Sequence, residues 1–337
     1  MFFELKQIIQ HAVTCQSASV KCVLATVVGL DGSSYRKPGV RMLITEHCET
    51  VGAVSGGCVE KEVMRQAQAV FRDDVACVMT YDGRYRLGCE GVLFILIEPI
   101  LLSHKFLRIW SDILDSRLPV SLVSQYQKEV SQSPQYGTYL RYNDENVPLS
   151  TSFDFSESYQ IFQETLTPPL RLVIVGTEHD AVHMARLASD SGMEVIVVSS
   201  VKDPRVPNDF LGASAVVALE PDDIQSLGLD DQTAIILMTH SYSRDFQYAL
   251  NLLQTEYCYF GIIGSHKRKN MLLDELLQYN EELDIDKLEH VHSPAGLDIG
   301  AVTPQEIALS VIAEIISLVR QRDVLRESVH VNMIQKG

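Results

Sequence analysis

Positive charge is scarce in this sequence. Its 337 residues carry 28 Lys and Arg against 44 Asp and Glu, a formal net charge of −16. A chain with that balance is not built to grip nucleic acid or an anionic membrane. Long apolar runs are missing as well. The most apolar stretch, Val92 to Leu102, is too short to span a bilayer and contains Glu98 and Pro99. It reads as a buried strand and its exit. The opening residues, Met1-Phe2-Phe3-Glu4-Leu5-Lys6, lack the basic-then-apolar layout of a signal peptide. The seven cysteines are scattered, odd in number and never arranged as C-x-x-C. That pattern excludes a disulfide framework, a structural zinc site and iron–sulfur ligand sets. A reduced, cytoplasmic setting is expected.

What is present points to two domains, the natural count for this length. The expected fold class is α/β, with an N-terminal α+β domain and a C-terminal doubly wound parallel sheet. Leu5, Ile8, Ile9, Ala12 and Val13 share one face, so the chain opens with a helix. Strands are expected at Lys21–Val28, Val40–Ile44, Thr50–Val54, Val75–Tyr81 and from Val92. Residues 1–102 make the first domain. Residues 103–168 are a β-rich connector, with a helix around Lys105–Leu114 and a strand at Pro119–Ser124. Pro168-Pro169 marks a boundary. From 169 to 337, strands at Leu170–Val175, Glu194–Val198, Ser214–Leu219, Thr233–Met238, Cys258–Ile263 and Glu289–Val291 alternate with helical segments. That alternation is the mark of a parallel sheet covered on both faces. Thr303, Pro304 and Glu306 open the last helix as N-cap, first helical residue and capping box.

The first candidate site is Ser55-Gly56-Gly57-Cys58-Val59-Glu60, where a strand passes into a helix whose apolar face is Val59, Val63, Ala67 and Val70. Two glycines let a ligand approach the backbone, and the free N–H groups of the helix favour an anion. Cys58 falls in the first turn, where that field favours a thiolate. The competing account is an ordinary turn with a buried cysteine. Arg36, Lys37 and Arg41 gather on a nearby turn-rich loop and can neutralise a phosphate or serve only as a solvated face. Leu87-Gly88-Cys89-Glu90-Gly91 is a second glycine-spaced loop with a cysteine. Cys15, Cys22, Cys77 and Cys258 read as small buried hydrophobes.

In the second domain, ligands are expected beyond the carboxyl ends of the strands, at Gly176-Thr177-Glu178-His179, Thr239-His240-Ser241, Gly264-Ser265-His266 and Pro294-Ala295-Gly296. The dinucleotide fingerprint is nonetheless short of glycine. Gly176 alone stands in Gly176-Thr177-Glu178-His179-Asp180-Ala181, and Glu178 and Asp180 oppose a pyrophosphate. Ser199 and Ser200 occupy the place of the ribose-binding acid. NAD(P) is therefore not expected. Lys267-Arg268-Lys269 opens a helix, the end that cations avoid, so an anion resting near Gly264, Ser265 and His240 is expected.

These blocks resemble the XdhC/CoxI family, accessory factors for xanthine dehydrogenase and related molybdenum hydroxylases. In the first domain the likeness rests on Gly32-Ser33-Ser34-Tyr35-Arg36-Lys37-Pro38-Gly39-Val40-Arg41-Met42, on Ser55 to Glu60, and on Leu87 to Gly91. In the second it rests on Met238-Thr239-His240, on Gly261 to Ser265 with the basic residues after it, and on Gly296-Leu297-Asp298-Ile299-Gly300-Ala301 with Thr303 to Ala308. The resemblance implies a non-catalytic chaperone of purine catabolism. Such a factor binds the molybdenum cofactor (molybdopterin) transiently, protects it during sulfuration and delivers it to an apo-hydroxylase. A cysteine-desulfurase-type sulfur donor and a homodimer are implied partners, and Cys58 is the implied soft ligand to molybdenum. Tyr35 and Glu90 depart from the proline and glycine usual in the family. The alternative is an NAD(P)-linked oxidoreductase using the second-domain crevice.

Overall fold

A computed structural model describes residues 2–34, 37–55, 57–83, 91–143, 145–150, 159–280 and 285–320. The chain divides into two units, Met1–Pro168 and Pro169–Gly337.

In the first unit, α1 (Phe2–Ser17) precedes β1 (Cys22–Asp31), β2 (Arg41–Thr45) and β3 (Thr50–Gly52). Then come α2 (Cys58–Asp73), β4 (Cys77–Asp82), β5 (Val92–Ile100) and α3 (His104–Ser116). The unit closes with β6 (Val120–Tyr126), β7 (Ser131–Gln132), β8 (Gly137–Tyr142), β9 (Glu145–Pro148) and β10 (Gln160–Leu166). One sheet runs β3-β2-β1-β5-β4-β7 and a second β10-β6-β8-β9. Every pairing in them is antiparallel.

Side-chain alternation along β1 explains why its apolar run is continuous. Val23, Ala25 and Val27 pack with Val59, Val63, Ala67 and Val70 of α2. Cys22 and Leu24, on the other face, pack with α1, α3 and the second sheet. Residues 103–168 thus supply part of the first unit's core, through Phe106, Trp110, Leu122 and Leu140.

Polar residues also join the two sheets. Arg41 of β2 forms a buried ion pair with Glu164 of β10. Glu98 of β5 accepts from the Thr138 backbone N–H (2.7 Å) and hydroxyl (2.5 Å) on β8, and Thr138 Oγ1 lies 2.8 Å from Ser124 Oγ. Burial pushes the Glu98 carboxyl up to about 7, against the opposing pull of Thr138 and Arg41.

The second unit comprises β11 (Arg171–Val175), α4 (His179–Asp190), β12 (Glu194–Ser199), β13 (Ala215–Ala218), β14 (Thr233–Leu237) and α5 (Tyr242–Leu252). It continues through β15 (Tyr259–Ile262), α6 (His266–Tyr279), α7 (Ile285–Glu289), β16 (Val291–His292) and α8 (Pro304–Val319). The sheet is parallel throughout, in the order β13-β12-β11-β14-β15-β16. That is the doubly wound order, in which the winding reverses between β11 and β14. α4 and α8 cover one face through Ala181, Met184, Ala185, Ala308, Val311 and Ile315. Thr303 and Glu306 form the expected capping box. The last strand lies two residues later than expected, because Ile285–Glu289 is a short helix. Among the described residues no helix is long and apolar enough to cross a membrane.

Candidate functional site

Strand register brings the sequence motifs of the first unit to one edge of its larger sheet. Asp31 pairs with Val92, and Val92 with Asp82; Arg41 pairs with Thr26, and Gly52 with Met42. The carboxyl ends of β1, β3 and β4 therefore lie beside the amino ends of β2 and β5. Segments 32–40, 53–57 and 83–91 all leave from that end. They also touch. Gly83 N–H donates to the Gly91 carbonyl (3.0 Å), and a Cβ on Gly91 would stand 2.7 Å from the Ser33 carbonyl oxygen. Glycine is what lets the third segment close against the first.

The helix that starts at this edge is α2. Gly57 is its N-cap with φ 87°, a conformation that favours glycine, and a Cβ there would meet none of the described atoms within 4 Å. Cys58 is the first helical residue; its side chain, with Gly56, Arg36, Cys89 and Glu90, lies outside the described residues. The Ser55 N–H donates to Glu60 Oε1 at 2.6 Å, so Glu60 closes the turn beneath the helix end. An acid in the first turn also complements the helix dipole.

The three cations expected here behave differently. Lys37 is exposed on the first segment. Arg41 is not available to a phosphate: it is buried, paired with Glu164, and its Nη1 donates to the Gly39 carbonyl (2.9 Å). Lys128, from the β6–β7 turn, pairs with Asp31 at 2.7 Å and brings a cation to this edge that sequence spacing did not reveal. Among the other cysteines, burial pushes Cys77 up to about 11, and Cys22 up to about 12 with help from a hydrogen bond with Cys15. Burial likewise raises Cys258 to about 11. These thiols are held away from thiolate chemistry.

In the second unit, the crevice at the β11/β14 reversal is lined by Gly176, Thr177, Glu178, Ser200, Thr239 and Arg244. Gly176 has φ 137°, and a Cβ there would collide with the Met238 carbonyl. The single glycine of the fingerprint is needed for strand-to-strand packing as much as for any ligand. Glu178 is the exposed N-cap of α4, and Asp180 stands in its first turn. Ser199 is buried, with its hydroxyl donating to the Val217 carbonyl (3.2 Å).

The basic run at the start of α6 has an internal explanation. Arg268 Nη2 lies 2.6 Å from Oδ2 of Asp245, whose side chain is 1% exposed. Asp245 Oδ1 also accepts from the Thr239 hydroxyl (2.6 Å) and N–H (3.3 Å). Gly264 leaves room for this reach, since a Cβ there would stand 3.0 Å from Arg268 Cδ, and Ser265 caps the helix by accepting from the Arg268 N–H. Lys269 Nζ donates to the Val291 carbonyl. The run therefore needs no bound anion to offset it, and the expected anion site between Gly264 and His240 is not assembled from these cations. Lys267 is exposed, as is His240, whose backbone is left-handed at φ 55°.

The geometry defines a two-unit α/β protein with a candidate site where loops leave one end of the larger sheet in the first unit and a Rossmann sheet in the second. The model described as the XdhC Rossmann domain matches residues 172–315, and that of the XdhC and CoxI family matches residues 15–82. The chain belongs to the XdhC/CoxI family. A Bacillus subtilis protein described as a probable subunit of xanthine dehydrogenase is 29% identical, covering 88% of this chain and 92% of its own. The Escherichia coli molybdenum cofactor insertion chaperone PaoD is 25% identical over 93% of this chain and 88% of its own. A crystal structure of a Bacillus halodurans protein described as a xanthine dehydrogenase superposes with a TM-score of 0.73 at 26% identity, covering 94% of this chain and 97% of that one.

Proposed function

We propose that this protein is a maturation factor for a molybdenum hydroxylase of the xanthine dehydrogenase type. It takes up the molybdenum cofactor as cargo at the loop edge of the first unit, protects it while its sulfido ligand is installed, and passes it to the apo-enzyme. The observation that carries this reading is the meeting of three glycine-bearing segments and the α2 N-terminus at one sheet edge. The free N–H groups at the α2 N-terminus suit the phosphate of the pterin, and a first-turn cysteine suits the soft metal and dithiolene. The name of the Escherichia coli relative supports the same reading. A cysteine desulfurase is the proposed sulfur source.

The test is to purify the protein from a cofactor-producing host and assay molybdenum and pterin. Wild type is expected to carry both. Cys58→Ala and Cys58→Ser are expected to lose them by at least about tenfold, the scale set by loss of a supporting group at a metal site, with unchanged circular dichroism. Equal molybdenum in all three proteins would remove Cys58 from the site, and no cofactor in wild type would remove the function.

The second-unit crevice is expected to bind dinucleotides poorly. Glu178 lines it, and the β12 end presents a buried serine hydroxyl where an acid would hold the ribose. Calorimetric titration with NADH and NADPH should show no saturable binding at micromolar concentrations. Micromolar binding would move the reading toward an NAD(P)-linked oxidoreductase.

A further inference from the structure

We propose that His179, His183 and Gln305 form a binding site for a divalent transition ion of the zinc, nickel or copper type. The site ties the first turn of α8 to the first turns of α4. It is independent of the cofactor site in the first unit.

His179 and His183 are one helical turn apart on α4, so both imidazoles project from the same side. Their Nε2 atoms lie 3.3 Å apart, with ring centroids at 4.8 Å and ring planes at 85°. Gln305, in the first turn of α8, places its side-chain amide 3.3 Å from the same His183 Nε2. Amide oxygen and nitrogen exchange by a simple flip, so either can face that point.

A neutral imidazole nitrogen carries one proton or one lone pair. His183 Nε2 therefore has one hydrogen-bonding position and two polar neighbours, each at a long contact distance. Three polar groups crowded around one point in this way are poorly satisfied by one another and well satisfied by a cation between them. The spacing agrees with that reading. With metal–nitrogen bonds of about 2.0–2.1 Å, two nitrogens on a tetrahedral ion stand about 3.3–3.4 Å apart.

Ligand type selects the ion. Imidazole favours zinc, nickel and copper and is a poor partner for magnesium or calcium. Among the described residues no three His, Cys, Asp or Glu side chains come together as a metal site. Two imidazoles and an amide leave the ion at least one open position. Glu178 and Asp180 flank His179 in sequence. Glu178 also lines the crevice at the β11/β14 reversal.

The test uses full-length protein, freed of metal by chelator and kept under a non-thiol reductant. Zn²⁺, Ni²⁺ and Mg²⁺ chlorides are titrated separately by calorimetry at pH 7.5, and melting is followed with each. Wild type is expected to bind one Zn²⁺ or Ni²⁺ saturably and to melt higher as the free ion rises, with no response to Mg²⁺. His179→Ala and His183→Ala should each weaken binding at least about tenfold, as loss of a supporting group does at known sites. Gln305→Ala should weaken it less, and His240→Ala should leave it unchanged. The metal-free melting points of the variants check the fold, which the exposed position of His179 favours. Absence of saturable Zn²⁺ and Ni²⁺ binding in wild type overturns the proposal. So does binding that survives intact in His179→Ala and His183→Ala, which would place the ion on thiols elsewhere.

Discussion

Arg268→Ala is expected to destabilise the second unit by about 3–5 kcal/mol, the cost of leaving one member of a buried ion pair without its partner. The reason lies in Asp245. Its side chain is 1% exposed, and with Arg268 gone its charge is held, among the described residues, by the hydroxyl and N–H of Thr239. The two turns that Arg268 joins, after β14 and after β15, would also lose their tie. Urea unfolding followed by far-ultraviolet circular dichroism measures the cost. A control separates an unpaired carboxylate from lost packing: Arg268→Ala/Asp245→Asn removes the charge as well and should recover much of the loss. A cost below about 1 kcal/mol, the range of exposed pairs, would show that solvent reaches Asp245 freely.

Glu98→Gln is expected to make the first unit more stable than wild type at pH 8 and nearly equal to it at pH 5. Burial raises the Glu98 carboxyl from its ordinary 4.5 to about 7. Between those values the folded chain holds a proton that the unfolded chain has released. Stability from this group is therefore present below pH 4.5 and lost as pH rises through 7. A gap of about two and a half pH units corresponds to about 3 kcal/mol. The hydroxyl chain accommodates the neutral form: a protonated Glu98 can donate to Thr138 Oγ1, which then turns its own proton to Ser124. Glutamine reproduces that donor and acceptor permanently. The sole tryptophan, Trp110, is buried in the first unit and reports its unfolding by fluorescence. Comparing wild type with the variant at each pH cancels other titrating groups. A glutamine variant less stable than wild type at pH 8 would mean that Thr138 and Arg41 hold the ionised carboxylate at a net gain despite its burial.

Strands buried on both faces were legible because they read as unbroken apolar runs. β1, β5 and the central strands of the second unit are of this kind, and their alternation with helices implies the parallel sheet. The α8 start was legible because capping chemistry is local. Sequence could not show what depends on partners far along the chain. Arg41 looks like a solvated cation until Glu164 is placed beside it. The basic run at 267–269 invites an anion until Asp245 and the Val291 carbonyl account for two of its three charges. Glu98 stands out in an apolar run, but its use depends on Thr138 from another sheet. The sheet of β6, β8, β9 and β10 is legible only as a β-rich connector, since its strands are short and interrupted by polar turns. His179 was visible at the crevice, whereas the share taken by His183 and Gln305 depends on how α4 and α8 pack.

The edge where the three segments of the first unit leave the sheet has a dimension. Its anchoring strand ends lie on five neighbouring strands, β3-β2-β1-β5-β4. At about 4.8 Å per strand the row of anchors is about 19 Å wide. A ligand lying along that row is held by several short segments, each fastened separately to a rigid ladder, and no one of them carries the whole affinity. For a carrier, that division affects release. If the proposed cargo rests there, a partner that draws aside one segment would remove a fraction of the binding energy without disturbing the strands, and the cargo would leave in steps, each with a low barrier, instead of in one costly detachment.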